Sequence, residues 1–196
     1  MPIPVQVSTT DPSKMRARLL ELVRERAYKD GLDIVLASGK RSTFYINGKK
    51  VTLDPEGLNL TARLMLKELE DFPAVTAVGG LTLGADPLAA AVTALSFETG
   101  QNLRAFLVRK EPKGHGTGSL IEGDLAPGDK VAILEDTITT GGSARKAIAA
   151  VTDAGAEPVV VLALADREDD DADGFRAEFN VRTLLTLTDI RGAVHG

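Results

Sequence analysis

The 196-residue chain has no cysteine, no tryptophan, only two histidines and only eight aromatic residues. Without cysteine there is no disulfide framework, no thiolate metal site and no cysteine nucleophile. With only His115 and His195, a multi-histidine metal site is nearly excluded. No stretch approaches the roughly 20 apolar residues of a membrane span. The start, Met1-Pro-Ile-Pro, lacks the basic and apolar segments of a signal peptide. A cytoplasmic protein with no membrane partner is expected. Basic residues are also in deficit, 23 against 28 acids for a net charge of −5. That balance argues against a sequence-independent nucleic-acid binder. The deficit is local, because residues 166–173 hold six acids and one arginine. The part from Glu168 to Asp173 is expected to be a solvated loop tip.

The rest of the sequence alternates helix and strand signals. Thr10-Asp11-Pro12 caps a helix over about 13–29. Ile34 and Leu36 begin a strand-like stretch. Phe44-Tyr45-Ile46, Asn47-Gly48 and Val51-Thr52-Leu53 predict a hairpin, since Asn-Gly suits a tight turn. Asp54-Pro55 opens a second helix. Short apolar strands then follow at about 75–78, 105–108, 131–134, 159–164 and 181–187, with helices over 86–97 and 143–154. Residues 110–123 read as a polar loop. Continuous apolar strands separated by helices predict an α/β fold, a central parallel sheet flanked by helices on both faces. The first 55 or so residues form a small N-terminal helix-plus-hairpin hood.

In such sheets ligands bind beyond the carboxyl ends of the strands. The strand at 131–134 runs into Glu135-Asp136-Thr137-Ile138-Thr139-Thr140-Gly141-Gly142-Ser143. A hydroxyl- and glycine-rich turn at a helix start offers free N–H groups and a positive dipole end to a phosphate. No Gly-Lys-Ser/Thr follows, so it is not a Walker A loop. Glu135 and Asp136 would repel a bare phosphate but accept hydrogen bonds from sugar hydroxyls, which suits a ribose phosphate. The plain alternative is a solvated strand end followed by an ordinary cap. The segment Arg109-Lys110-Glu111-Pro112-Lys113-Gly114-His115-Gly116 gathers three fixed cations and a histidine. It suits a closing loop that neutralises an anion such as pyrophosphate.

Residues 131–143 resemble the phosphoribosyl-pyrophosphate (PRPP) motif of type I phosphoribosyltransferases. Arg109, Lys110, Lys113 and His115 resemble the catalytic loop of the orotate phosphoribosyltransferase family. The resemblance extends to the segment 36–48 and to Asp166-Arg167. It implies the type I phosphoribosyltransferase fold in one domain spanning 1–196, with 1–55 as hood and 56–196 as PRPP-binding core. It implies transfer of the 5-phosphoribosyl group from PRPP to orotate, giving orotidine 5′-monophosphate and pyrophosphate on the route to UMP. Lys113, His115 and Asp136 are then the catalytic residues. PRPP would meet Arg109, Lys110, Lys113, His115 and the whole run Glu135, Asp136, Thr137, Ile138, Thr139, Thr140, Gly141, Gly142 and Ser143. Orotate would meet Thr139, Arg167 and Tyr45, with Phe44 or Tyr45 packing on the ring. The resemblance also implies Mg²⁺ as cofactor, held mainly by substrate with no protein metal site. It further implies a homodimer in which the loop reaches the neighbouring subunit's site. Three departures stand out: the loop 79–87 has Leu81, Thr82 and Leu83 where many members carry a lysine, Ala37 replaces another lysine, and Glu135-Asp136 stands in place of the commoner Asp-Asp. Lys40 or Lys110 would be the substitutes. A phosphoribosyltransferase for another base and a PRPP-sensing regulator are the competing readings.

Overall fold

The computed structural model describes residues 10–35, 39, 41–112 and 119–192. A six-stranded sheet forms its centre, in the order β10-β9-β8-β5-β6-β7. The strands are β5 (Ala77–Leu81), β6 (Arg104–Val108), β7 (Ile121–Gly123), β8 (Lys130–Ile138), β9 (Glu157–Asp166) and β10 (Val181–Thr186). Five of them run parallel, as their unbroken apolar runs predict. The exception is β7, which pairs antiparallel with β6 at the sheet edge. It corrects the expectation of a plain loop over 110–123. Three residues ending in Gly123, at φ +104°, are too short to give a periodic signal.

Helices cover both faces. On β8, Ala132 and Leu134 belong to one apolar cluster, and Val131 and Ile133 to the other. That alternation follows from the two-residue period of a strand. The first cluster packs α1 (Pro12–Leu22), α3 (Pro55–Leu69) and α4 (Asp86–Thr99), and it runs from Met15 to Ile190 near the end of α7 (Leu187–Arg191). The second packs α5 (Gly142–Asp153) and α6 (Asp173–Glu178). Two of the predicted caps form: the Asp11 side chain accepts the Ser13 N–H, and Asp54 accepts those of Glu56 and Gly57. Asp86 opens α4 without capping it; its Oδ1 is buried without a partner, and burial raises its pKa.

The N-terminal region differs most from expectation. The first α-helix ends at Leu22, and a π-helical turn over Val23–Ala27 leads into β1 (Tyr28–Lys29). The hairpin around Asn47-Gly48 does not form. Instead, β4 (Tyr45–Ile46) pairs antiparallel with β1, β2 (Ile34–Val35) pairs with β3 (Arg41–Ser42), and Lys49–Thr52 is a short helix, α2. Gly48 has φ −52°, so it does not supply the positive φ of a tight hairpin turn. Its missing side chain serves a close approach: a Cβ there would stand 2.9 Å from both Asp136 Cβ and Thr137 Oγ1. Packing against the core outweighs the local turn preference. Arg16 fastens this region to the chain's end through the Leu184 carbonyl and Asp189, at 2.9 and 2.6 Å.

Candidate active site

The strand order reverses between β5, which leads outward to β6, and β8, which leads outward to β9. The loops beyond the two strands diverge there and leave a crevice. A cleft of about 840 Å³ lies beyond the end of β8, next to this crevice, lined by residues 41–49, 135–144, 146 and 167–171. The structure therefore brings Tyr45, Glu135–Ser143 and Arg167 into one cavity. Their sequence separations reach more than a hundred residues.

The floor of the cleft is the end of β8. Glu135 and Asp136 are both 7% exposed. Burial, then the charge of Asp136, push Glu135 up to about 8. Asp136 is ion-paired with Lys49 Nζ at 2.8 Å. Thr137 Oγ1 is buried without a partner against Gly48. Ile138 is buried in the core, and its carbonyl accepts the Arg167 N–H at 3.1 Å, which ties the end of β8 to the loop that carries Arg167. Thr139, Thr140 and Ser143 continue along the wall. Gly141 takes φ +76° at the start of α5, and a Cβ there would overlap the Phe175 ring at 2.3 Å. The chain thereby turns sharply, and the first-turn N–H groups of α5, which lack intrahelical partners, line the cavity.

Arg167 closes the other end. Its side chain is 2% exposed, with Nη2 donating to Ser42 Oγ at 3.3 Å and Nε 3.0 Å from the Asp169 carboxylate. Its guanidinium lies 4.5 Å from the Phe44 ring centroid, and Arg191 lies 4.6 Å from the same ring. Phe44 is thus committed between two guanidiniums. Tyr45, 41% exposed on the cleft wall, is the aromatic left for a ligand.

Other expected residues lie elsewhere. Arg109 and Lys110 are not in the lining of this cleft, and Arg109 Nη1 instead meets Glu122 of β7 at 3.3 Å. Lys113, His115, Ala37, Lys40 and His195 fall outside the described residues. Of the acidic run, Glu168, Asp170, Asp171 and Asp173 are exposed as a loop tip would be, while residues 168–171 also line the cleft; Asp166, just before it, is 4% exposed and holds Arg176 at 3.0 Å. Sequence reasoning missed Lys49, Arg41, Ser42 and Lys146, all of which line the cavity. Reading Lys49 as part of a hairpin hid it, and its partner stands 87 residues away. The loop after β5 has no basic side chain, and its Gly84 abuts the acids.

A search of family models found none that matches the chain. Curated relatives match over nearly the whole length. An orotate phosphoribosyltransferase of Synechocystis sp. is 44% identical over 187 residues, covering 94% of this chain and 93% of the relative. One from Thermosynechococcus vestitus is 47% identical, covering 90% and 93%. Among solved structures, the Mycobacterium tuberculosis orotate phosphoribosyltransferase is 40% identical with a TM-score of 0.77, covering 90% of this chain and 98% of that one. The same enzyme in complex with PRPP matches at 37% identity and a TM-score of 0.73, covering 91% and 99%. The architecture is the type I phosphoribosyltransferase fold, and the chain belongs to the orotate phosphoribosyltransferase family.

Proposed function

We propose that the cleft beyond β8 transfers the 5-phosphoribosyl group of PRPP to orotate, releasing pyrophosphate and orotidine 5′-monophosphate for UMP synthesis. The observation that carries this reading is one cavity holding an acidic pair, a threonine–glycine phosphate turn and a buried arginine. The first turn of α5, with the hydroxyls of Thr137, Thr139, Thr140 and Ser143 and the backbone of Ile138, Gly141 and Gly142, takes the 5′-phosphate. Glu135 and Asp136 accept hydrogen bonds from the ribose hydroxyls, and the charge of Asp136 favours positive charge on the ring as the anomeric C–O bond breaks. Arg167 meets the orotate carboxylate or a ring carbonyl bidentately, Tyr45 packs on the ring, and Thr139 lies between the two substrates.

The donors fit a Mg²⁺ that arrives with the diphosphate. Glu135 and Asp136 offer only hard oxygen atoms, but among the described residues no group of three or more acidic or histidine side chains could hold a metal ion. Glu135 and Asp136 would hold it only indirectly, through waters and the ribose hydroxyls. When bound, it neutralises the diphosphate and acts as a Lewis acid. The remaining charge is met by Arg109, Lys110, Lys113 and His115. Lys113 stabilises the departing pyrophosphate, and His115 donates a proton or hydrogen bond to it. Arg109 and Lys110 stand away from their own chain's cleft, which favours a homodimer whose loops complete each other's sites. The hood over 1–55 and the core over 56–196 act as one domain in the cytoplasm, with PRPP and orotate as partners and no nucleic acid.

A base panel tests the reading. With PRPP and Mg²⁺, pyrophosphate release should depend on orotate and stay at background with uracil, adenine, hypoxanthine or xanthine. Release with a different base would replace the assignment, and release with none would favour a PRPP-sensing regulator.

A further inference from the structure

The loop from Leu81 to Ala85 contains no basic residue, yet it meets the acids directly. A Cβ on Gly84 would stand 2.9 Å from Glu135 Oε1 and 3.0 Å from Asp136 Oδ1. The core therefore brings backbone and carboxylates to this point without a cation of its own. The cation comes from the hood. Gly48 lays its backbone against Asp136, a contact that a Cβ would obstruct, and the next residue, Lys49, starts α2 there. Its ammonium lies 2.8 Å from Asp136 Oδ2, while its side chain stays 45% exposed and lines the cleft. Burial works against the charge on Lys49, but the hydrogen bond and charge of Asp136 outweigh it and raise its pKa. The residue stays cationic.

An ammonium has three donors. Asp136 accepts from one, which aims the group, and two remain for a ligand. The other cations of the lining are placed for other tasks. Arg41 pairs with Asp33, Arg167 is locked beneath Phe44, and Lys146 stands on α5 beyond the phosphate turn.

We propose that Lys49 is a diphosphate-binding residue, bridging Asp136 and the diphosphate of PRPP and supplying the charge that the 81–85 loop lacks. The assignment rests on the PRPP reading of this cleft. It separates two ligands of the same site: pyrophosphate carries the group Lys49 would hold, and orotidine 5′-monophosphate does not.

The test uses the full-length enzyme with Lys49→Gln, Lys49→Met and Lys49→Arg, reading dissociation constants of pyrophosphate and of orotidine 5′-monophosphate by calorimetry, with KM for each substrate. Both neutral variants should bind pyrophosphate about tenfold or more weakly and raise KM for PRPP alike. Their affinity for orotidine 5′-monophosphate and KM for orotate should stay within about twofold. Lys49→Arg should restore most of the pyrophosphate affinity. Equal weakening of both ligands would make Lys49 a support of the hood and overturn the proposal, as would unchanged pyrophosphate binding. If a neutral variant does not fold, the other carries the comparison, and Lys49→Arg with lost pyrophosphate affinity but a normal melting curve also counts against it. Failure of the underlying reading is distinct, because the unsubstituted protein would then show no orotate-dependent turnover.

Discussion

Replacing Glu135 by glutamine should change how the protein's stability responds to pH. Glu135 is 7% exposed, and burial followed by the Asp136 charge moves it from 4.5 to about 8. In the unfolded chain it returns to its ordinary value, so folding takes up a proton between these two pH values. This group's contribution is most favourable below pH 4.5 and is lost as pH rises through about 8. The slope is about 1.4 kcal/mol per pH unit, which amounts to about 3 kcal/mol by pH 7 and about 5 kcal/mol above pH 8. Against a typical total of about 5–15 kcal/mol, the loss is large. Glutamine keeps the shape, does not ionise and removes the penalty. Urea unfolding of both proteins at pH 5, 7 and 9, without Mg²⁺ or substrate, measures the difference. The two should be similar at pH 5. The variant should be more stable by about 3 kcal/mol at pH 7 and about 5 kcal/mol at pH 9. A difference that does not grow with pH would refute the burial argument.

Gly141→Ala should lose about 2–5 kcal/mol, from the strain of φ +76° and overlap with the buried Phe175 ring. Gly142→Ala, whose nearest neighbour is Thr140 Oγ1 at 3.4 Å, should change stability little; equal losses in thermal melts would remove the packing explanation. Lys113→Ala and Asp136→Asn should each lower kcat far more than they weaken PRPP binding. Refolded together in equal amounts, the two inactive variants should recover about a quarter of wild-type activity, since half the dimers are mixed and each has one intact site. No recovery would refute sites shared between subunits.

The parts of the site built from local chemistry were legible in the sequence. The acids and the threonine–glycine turn follow an apolar strand and precede a helix, and the structure keeps that order from β8 through Gly141 to α5. Contacts made at long range were not. Asn47-Gly48 has the composition of a tight hairpin, but the glycine is used for its small size against Asp136 and Thr137. Once that segment was misread, Lys49 had no visible partner. The anchoring of Asp166 and Asp173 was likewise not visible, because Arg176, which folds back onto both, comes later in the chain. In each case the deciding energy comes from a residue outside the window in which propensity acts.

Arg167 shows why the hood and the core cannot be considered separately. A guanidinium buried to 2% exposure is costly unless its charge and donors are met. Asp169 meets the charge from its own loop, although Nε makes no hydrogen bond, while the Ser42 acceptor and the face of Phe44 come from the hood. Arg191, at the end of α7, lies 4.6 Å from the same ring centroid and also donates to the Tyr28 hydroxyl of β1 at 3.0 Å. The ring is therefore held by two guanidiniums from segments far apart in sequence. An arginine restrained this way loses little further rotamer freedom when a carboxylate arrives, so more of the contact energy remains for choosing the base. On the proposed reading, the hood would hold the base-reading arginine still, while the core, through β8 and α5, would hold the sugar and phosphate.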